Sequence, residues 1–387
     1  MIKHRLAIIS THPIQYYAPM FKLLNNAANI TLCVFYTLGN SGEEKYDEGF
    51  NKIIKRDNEF LSGYTFEWVV NTAKSPTSAN FNGVKNPGLI DQIEQWKPDA
   101  LLVFGWAYQG HLRSLLHFKN KVPVFFRGDS TLIDEGQGFR TIVKSIFKKW
   151  VYKHIDYALY TGSQNKAYFL KSGLKEFQLI FAPHAIDNSR FAAPQREKVL
   201  SIRHRLRIAP DDLLILFAGK FEAKKDPLSL LRAFRKIARQ DVKLLFVGNG
   251  NLETHLKAEA KNDKRIHFLD FQNQTEMPAI YQTCDIFCLP SKGPGETWGL
   301  AVNEAMACGK TILLSDKVGC GIDMVTPGRN GEIFEAGNIL DLAGKLNKLI
   351  GKGKTGLKQT GERSEQIVQD WNFTEQINAI IKLLNAK

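Results

Sequence analysis

The chain has 387 residues, of which 44% are hydrophobic and 24% are charged. This length suffices for two domains, and the composition excludes a mainly disordered, collagen-like or disulfide-scaffold protein. Lysine and arginine outnumber aspartate and glutamate by 52 to 39, so the formal net charge is +13 and an anionic partner is expected.

Cysteine usage and hydropathy indicate in which cellular compartment the protein is expected. The 5 cysteines are scattered and form no Cys-x-x-Cys pair, so neither a disulfide framework nor a zinc site is predicted. The apolar run near the amino terminus is too short for a secretory signal, and no stretch approaches the roughly 20 apolar residues of a membrane span. We therefore expect a cytoplasmic protein, either free or attached to the inner face of the membrane.

Short apolar runs alternate with helix-length amphipathic segments along the whole chain. This pattern predicts the buried strands of parallel sheets that are covered on both faces, and hence an α/β fold class. In chain order, the predicted strands are residues 6–10, 30–36, 100–104, 122–126, 157–160, 213–218, 243–247, 286–289 and 311–314.

Prolines and a charged stretch interrupt this pattern near residues 185–212, which indicates a domain boundary. We expect two doubly wound, Rossmann-like domains, residues 1–190 and 191–365, followed by a helix over 366–387 that returns to the first domain. Ligands of open parallel sheets bind beyond the carboxyl ends of the strands, so the predicted site is the cleft between the two sheets.

The stretch 294–309 follows a predicted strand and opens a helix at about Gly299. The backbone N–H groups of Gly299 and Leu300 would form an anion site there, helped by the positive end of the helix dipole. Glu296 precedes this site and Glu304 follows it by about one helical turn. Carboxylates accept hydrogen bonds from hydroxyls, so the pattern favours a nucleotide sugar. The alternative is a solvated helix start with an incidental acidic pair.

Two lysines follow the predicted strand 213–218. Gly219 permits close backbone approach at the end of the strand, and Lys220 and Lys225 lie on the loop after it. Two ammonium groups in this position can neutralise a diphosphate and stabilise it as it leaves. A solvated pair of lysines before a helix is the alternative.

Two glycine patterns are weaker indicators of phosphate binding. Gly248 belongs to a Gly-x-Gly after a predicted strand, but the third glycine of a dinucleotide fingerprint is missing. The stretch 351–356 does match Gly-x-Gly-x-x-Gly, yet it follows a helical segment and reads as a basic loop, so we exclude it as a nucleotide site.

Taken in order, these stretches resemble the retaining glycosyltransferases of family 4, which have the GT-B fold. The resemblance is strong over residues 210–335 and weaker over the N-terminal half. The residues that match the Glu-x7-Glu pair and the diphosphate motif of that family are Glu296, Glu304, Gly219, Lys220 and Lys225. The stretch 185–191 is similar to the linker motif of the family. His184 and Ala185 depart from that motif, with little expected consequence for the chemistry.

The resemblance implies transfer of a sugar from a nucleotide-diphosphate donor, with retained anomeric configuration and without a metal ion or other cofactor. It implies that Glu304 binds the ribose and Glu296 the donor sugar, while the lysines and the start of the helix hold the diphosphate. Further donor-binding residues are expected to be Gly248, Phe271 and Trp298. The acceptor would be a glycan or a lipid-linked molecule, in the synthesis of cell-surface polysaccharide or glycoconjugates.

The N-terminal half departs from the family pattern and offers less specific candidates. Arg127 and Asp129 follow a predicted strand where the family commonly has a histidine, and Asp129 could accept a proton or a hydroxyl hydrogen bond. The alternative is an Asp-Ser-Thr turn with an internal Arg–Asp pair. Candidate acceptor or cleft residues are His12, Gln15 and Trp106, although His12 could instead be a capping residue.

The segment 139–155 reads as an amphipathic helix with an apolar face and a basic face. Such a helix can lie on an anionic membrane, or its apolar face can pack on the sheet. Competing functions are a sugar-nucleotide epimerase or phosphorylase on the same architecture, a glycoside hydrolase that uses Glu296 and Glu304, and a nucleic-acid binder. The dispersed basic residues form no recognised nucleic-acid module, so no nucleic-acid partner is expected.

Overall fold

The computed structural model describes residues 3–39, 44–47, 52–55, 60–136 and 139–386. It consists of two compact units. The first contains most of the chain up to His184 and the segment from Phe373 onwards, while Ala185–Asn372 forms most of the second. The chain thus passes between the units slightly before the predicted boundary at 190 and slightly after the one at 365.

The first unit contains a 7-stranded parallel sheet. The elements up to residue 181 are β1 (His4–Ser10), α1 (Ala18–Asn25), β2 (Ile30–Tyr36), β3 (Glu44–Asp47), β4 (Lys52–Lys55), β5 (Thr65–Trp68), α2 (Leu89–Trp96), β6 (Ala100–Phe104), α3 (Gln109–Phe118), β7 (Val124–Arg127), α4 (Phe139–Tyr152), β8 (Tyr157–Tyr160), α5 (Ser163–Lys171) and β9 (Leu179–Phe181). The strand order is β5-β2-β1-β6-β7-β8-β9, and β3 and β4 form a separate antiparallel hairpin that groups with the second unit.

Both faces of this sheet are covered, as the continuous apolar runs predict. Along β1, Leu6 and Ile8 belong to one hydrophobic cluster, whereas Ala7 and Ile9 belong to another on the opposite face. All residues of β6 are buried and alternate between the same two clusters. The sheet is therefore the middle layer of the unit.

The second unit contains a 6-stranded parallel sheet. Its elements are α6 (Asn188–Ala192), α7 (Arg196–Arg205), β10 (Leu213–Ala218), α8 (Pro227–Phe234), β11 (Val242–Val247), α9 (Glu253–Ala260), β12 (Ile266–Leu269), α10 (Met277–Thr283), β13 (Ile286–Leu289), α11 (Leu300–Ala307), β14 (Thr311–Ser315), α12 (Gly321–Met324), β15 (Gly331–Phe334), α13 (Ile339–Ile350) and α14 (Gly353–Val368). The order β12-β11-β10-β13-β14-β15 reverses between β10 and β13. Such a reversal is the point where open parallel sheets bind their ligands.

The last helix, α15 (Phe373–Asn385), belongs to the first unit and contacts α1 and β9. Its inward side chains, Ala379, Ile380, Leu383 and Leu384, join one of the two clusters around the first sheet. The α/β fold class with two doubly wound parallel sheets is confirmed. Within the described part of the chain, none of the helices has the length and apolarity needed to cross a membrane.

One local prediction is wrong. The glycine-rich stretch 351–356 is not a basic loop, because α14 begins at Gly353 and runs on to Val368. Gly353 has a φ of 62°, a left-handed conformation that glycine adopts without strain, and this lets α14 follow α13 after a very short turn.

Candidate functional site

Two of the predicted donor-binding side chains meet at the carboxyl ends of β10 and β13. Nζ of Lys225, in the loop after β10, forms an ion pair with Oε2 of Glu296, in the loop after β13. The Oγ of Ser291 donates a hydrogen bond to the same oxygen at 2.8 Å. Only 20% of the Lys225 side chain and 9% of the Glu296 side chain are accessible, so water screens the pair weakly. The structure thus joins two residues that the sequence assigns to one ligand.

Further contacts hold the two loops together. The amide of Lys292 donates to the carbonyl oxygen of Lys224 at 2.8 Å, and the Nζ of Lys292 lies 3.3 Å from Oδ1 of the buried Asp226. The hydroxyl of Ser315, at the end of β14, donates to the carbonyl oxygen of Ser291. Because these contacts lie within the unit, they preorganise the ion pair for a ligand.

The second predicted carboxylate, Glu304, lies in α11 and is buried. The phenol hydroxyl of Tyr281, in α10, donates to its Oε2 at 2.7 Å, and Tyr281 is buried as well. A carboxylate has acceptor positions on both oxygens, so Tyr281 orients Glu304 without using all of them. Tyr281 has no role that the sequence alone predicts, because the partner of a buried carboxylate depends on how α10 packs against α11.

The start of α11 has the geometry of an anion site. Gly299 has a φ of 96° and precedes the first helical residue, Leu300. Neither of their amides donates to a backbone carbonyl within the described ranges, whereas the amide of Val302 binds the carbonyl oxygen of Gly299 at 2.8 Å. The two N–H groups and the positive end of the helix dipole can therefore bind an anion.

Trp298 lies in the loop that leads into α11, and its side chain is buried. Its Nε1 donates to Oδ1 of Asn303 at 2.9 Å, and its carbonyl oxygen accepts from the amide of Cys320 at 3.0 Å. Gly319 packs on the same loop so closely that a Cβ would lie 1.8 Å from the carbonyl oxygen of Thr297. Trp298 thus supports the loop, and little of its surface is left for the donor contact predicted for it.

The glycines after β10 and β11 have a packing role. A Cβ on Gly248 would lie 2.1 Å from the carbonyl oxygen of Gly219, and Gly248 has a φ of +136°. The amide of Gly219 donates to the carbonyl oxygen of Val247 at 3.0 Å, and that of Phe221 donates to Asn249 at 2.9 Å. The Gly-x-Gly pattern is therefore required for the close approach of two neighbouring loops, whether or not a phosphate binds there.

The remaining predicted donor residues lie at the same edge of the sheet. Lys220 follows β10, Phe271 follows β12, and both are half-buried. The amide of Phe271 donates to Oδ1 of Asn249 at 2.7 Å, which fixes this loop against the one after β11. Across the described ranges, no group of three or more His, Cys, Asp and Glu side chains lies together as a metal site would require.

In the first unit, Arg127 lies at the end of β7 and is only 1% accessible. Its Nη1 donates to the carbonyl oxygen of Ala182 at 2.8 Å, and its Nη2 donates to that of Pro183 at 3.3 Å. The guanidinium therefore binds the backbone that leads to the second unit. These contacts give Arg127 a structural role, and its predicted catalytic role stays a prediction.

Asp129 is arranged differently. Its Oδ1 lies 3.1 Å from Nε2 of His184, and its Oδ2 accepts from the hydroxyl of Tyr17 at 3.3 Å. Burial alone would raise the pKa of Asp129, but His184 and Arg127 lower it to about 2. Because 39% of the side chain is accessible, Asp129 can accept a hydrogen bond from a ligand hydroxyl. So low a pKa makes it a weak base at neutral pH, which disfavours proton removal.

The other N-terminal candidates follow β1 and β6, the strands at which the order of the first sheet reverses. His12 and Gln15 are half-buried, and Nδ1 of His12 lies 3.0 Å from Oγ1 of Thr11. His12 does not cap a helix, since α1 begins at Ala18. Nε1 of Trp106 donates to the hydroxyl of Tyr152 at 3.3 Å, so its ring is oriented by α4.

The amphipathic helix α4 exposes its apolar face. The apolar side chains with 42–66% of their surface accessible are Ile142, Val143, Ile146, Phe147 and Trp150. Its buried residues include Val151 and Tyr152, and Lys148 turns inward to Glu135 at 3.1 Å. The alternative that this face packs on the sheet is therefore wrong for its exposed residues and holds only for Val151 at its end.

A sequence model of the family described as glycosyl transferases group 1 matches residues 199–366. The matched segment is similar to the glycosyl transferases of group 1 and makes up less than half of the chain. A D-inositol 3-phosphate glycosyltransferase of Nocardia farcinica is 26% identical over 53% of this chain and 46% of its own length. A phosphatidyl-myo-inositol mannosyltransferase of Mycobacterium tuberculosis is 30% identical over 26% of this chain and 28% of its own. The chain thus spans less than half the length of these curated relatives.

Solved structures match this chain over almost its whole length. HepE from Anabaena, crystallised with UDP and glucose, is 14% identical and superposes with a TM-score of 0.71 over 99% of this chain and 100% of HepE. A sucrose-phosphate synthase from Thermosynechococcus elongatus is 17% identical, with a TM-score of 0.75 over 99% of this chain and 100% of the enzyme. At such low identity these matches bear on the fold alone, and that fold is GT-B.

Proposed function

We propose that this chain is a retaining, metal-independent glycosyltransferase that moves a sugar from a nucleotide-diphosphate donor to a glycan or lipid-linked acceptor. The observation that carries the proposal is the Lys225–Glu296 ion pair at the switch point of the second sheet. A cation for the diphosphate and a carboxylate for sugar hydroxyls are there in direct contact. Ser291 and the loop contacts hold them in place.

The charges at this site suit a diphosphate leaving group. In the proposed reaction, the bond between the anomeric carbon and the diphosphate oxygen breaks, and negative charge grows on the diphosphate. Lys220, Lys225 and the amides of Gly299 and Leu300 would stabilise that charge. An ammonium group has three donors, so Lys225 can hold Glu296 and a phosphate oxygen together.

The relatives support a nucleotide donor and suggest an anionic acceptor. HepE binds UDP and glucose in its crystal, and the curated relatives are named for inositol phosphate and phosphatidylinositol substrates. An acceptor that carries a phosphate would also suit the formal charge of +13. In the first unit, Asp129 would bind an acceptor or sugar hydroxyl.

We also propose that the exposed face of α4 lies on an anionic membrane, where it would meet a lipid-linked acceptor. Lys144, Lys149 and Lys153 are exposed beside that face, so apolar side chains and positive charge occur together as an interfacial helix requires. The ring of Trp106 packs edge-on against Phe147 at 5.7 Å, which connects this face to the end of β6.

Vesicle binding tests the membrane proposal. Ile146→Glu should abolish cosedimentation with vesicles that contain phosphatidylglycerol, because it places a charge in the apolar face. The control is Ile322→Glu, since Ile322 is equally exposed at 65% but lies in the second unit. Equal loss for both variants, or binding that ignores lipid charge, would contradict the proposal.

A panel of UDP-, GDP- and ADP-sugars tests the transferase proposal. One of them should raise the melting temperature, since a ligand of the native state stabilises it. Release of free nucleotide from that donor should then require an acceptor, which separates a transferase from an epimerase. Stabilisation by no nucleotide sugar, or cleavage of a simple aryl glycoside instead, would contradict the proposal.

A further inference from the structure

The short helix α6 packs against α10 and α11, the helices that carry Tyr281 and Glu304. Asp187 caps α6, because its Oδ1 accepts from the amide of Arg190 at 2.9 Å. Phe191 is fully buried, and its ring meets that of Tyr281 edge-on at 5.9 Å. Since Tyr281 in turn binds Glu304, α6 is part of the packing that supports the candidate site.

Arg190 in this helix reaches the loop between β12 and α10. Its Nη1 donates to the carbonyl oxygen of Gln274 at 2.6 Å, and its Nη2 donates to the side-chain oxygen of the same residue at 3.1 Å. A planar guanidinium can bind two oxygens at once in this way. Pro278, four residues after Gln274, has no N–H, so the backbone of the next turn cannot donate to that carbonyl. Arg190 supplies the donor instead.

The same loop carries Phe271, which the sequence assigns to the donor site. At this end of the loop, the amide of Phe271 donates to Oδ1 of Asn249 at 2.7 Å, while the guanidinium of Arg190 binds the other end. A further contact joins Glu276 to Lys198 at 2.7 Å, but both side chains are exposed, so this ion pair contributes little. The conformation of the loop therefore depends mainly on Asn249 and Arg190.

This loop lies on the nucleobase side of the proposed donor. A base is joined directly to its ribose, and the ribose is assigned to Glu304, whose partner Tyr281 belongs to the helix that follows the loop. Phe271 is the one aromatic residue between positions 270 and 276, and an aromatic ring offers a stacking surface to a base. The position of Phe271 therefore depends on the contacts that hold its loop.

We propose that Arg190 is a positioning residue for the nucleobase: it holds Gln274, fixes the loop 270–276, and so contributes to affinity for the nucleoside half of the donor but not for its diphosphate. The inference rests on the proposed transferase function. The diphosphate is assigned to Lys225 and the start of α11, whereas the guanidinium of Arg190 is directed to the loop. The linker motif thereby gains a role in donor selection.

Two variants and a matched control test the proposal. Arg190→Met removes the guanidinium but keeps an unbranched side chain, and Arg190→Lys keeps the charge but loses the planar fork that binds both oxygens of Gln274. The control is Arg203→Met, because Arg203 lies in α7 of the same unit and donates to the carbonyl oxygen of Thr283 at 3.0 Å, at the opposite end of α10.

The affinities of each protein for UDP, GDP, ADP and inorganic pyrophosphate are measured by calorimetry, and hydrogen exchange of the Phe271 amide is followed by NMR. The nucleoside diphosphate that wild type binds best should bind Arg190→Met about tenfold more weakly, with the affinity for pyrophosphate unchanged. Arg190→Lys should lie between the two. Exchange at Phe271 should be faster in Arg190→Met, because its loop loses one of its two main supports.

Arg203→Met should lower the melting temperature but leave exchange at Phe271 and the ratio of nucleoside-diphosphate to pyrophosphate affinity as in wild type. An unchanged ratio in Arg190→Met would overturn the proposal, and so would an equal loss of affinity for pyrophosphate, since the effect would then be general to the unit. If Arg190→Met does not fold, the ratio in Arg190→Lys decides. Wild type that binds none of the nucleoside diphosphates would refute the nucleotide donor itself, a failure visible without any variant.

Discussion

The phenol hydroxyl of Tyr281 donates a hydrogen bond to Oε2 of Glu304 at 2.7 Å, and both side chains are buried. Removal of the donor leaves a buried carboxylate short of one partner. Tyr281→Phe should therefore lower the free energy of unfolding of the second unit by about 1–3 kcal/mol and weaken donor binding. Chemical denaturation and nucleotide-sugar titration check both effects.

The control for this variant is Tyr160→Phe, since Tyr160 is half-buried on β8 of the first unit. It should leave donor affinity unchanged. Equal donor affinity in wild type and Tyr281→Phe would show that Tyr281 does not orient Glu304 for a ligand.

Arg127 should behave as a structural residue. Arg127→Met leaves the carbonyl oxygen of Ala182 without its side-chain donor, at a cost of about 1–3 kcal/mol, whereas that of Pro183 keeps a hydrogen bond from Gln376. The melting temperature should therefore fall by several degrees. The exposed Arg239→Met, which loses only a surface pair with Asp241, should change it little. A variant Arg127→Met that melts like wild type but transfers no sugar would contradict this structural account and support the predicted catalytic role.

The strands of the parallel sheets that the sequence does not predict all lie at sheet edges. Within the two parallel sheets they are β5, β9, β12 and β15, and each is an edge strand of three or four residues. An edge strand is covered less completely, so its residues alternate or mix polarity, as in the exposed and half-buried pattern of β5. Continuous apolar runs therefore predict the central strands and miss the edges.

The candidate site was predictable to the extent that it is local in sequence. Lys225, Glu296 and Glu304 follow from residue type and position after a strand, whereas Tyr281 and His184 act through contacts between distant segments. The sequence also does not tell in which direction a helix face points. Periodicity indicates that α4 has an apolar face, but whether that face meets the core or the solvent depends on packing.

His111 should make the first unit sensitive to acid. It is fully buried, Nε2 lies 2.7 Å from Oγ1 of Thr37, and burial lowers its pKa to about 4. Between the ordinary pKa of about 6.5 and about 4, the unfolded chain binds a proton that the folded chain does not, so stability falls as pH falls. The loss should reach about 3 kcal/mol at pH 4.

Unfolding of wild type and His111→Asn from pH 8 to pH 4 measures this contribution. The difference in stability between the two should shrink as pH falls below about 6.5. His117→Asn is the control, because His117 is partly exposed beside Glu94. If the difference in free energy of unfolding between wild type and His111→Asn did not change with pH, His111 would not take up a proton when the protein unfolds.

The affinity for a nucleoside diphosphate relative to the monophosphate, in Lys225→Ala and in Lys224→Ala, tests the central claim most directly. Lys224 is adjacent in sequence but pairs with Glu222 at 3.5 Å instead of Glu296. Wild type and Lys224→Ala should prefer the diphosphate, and Lys225→Ala should lose about tenfold or more of that preference. Full retention of the preference in Lys225→Ala would contradict the assignment of a diphosphate to the Lys225–Glu296 pair.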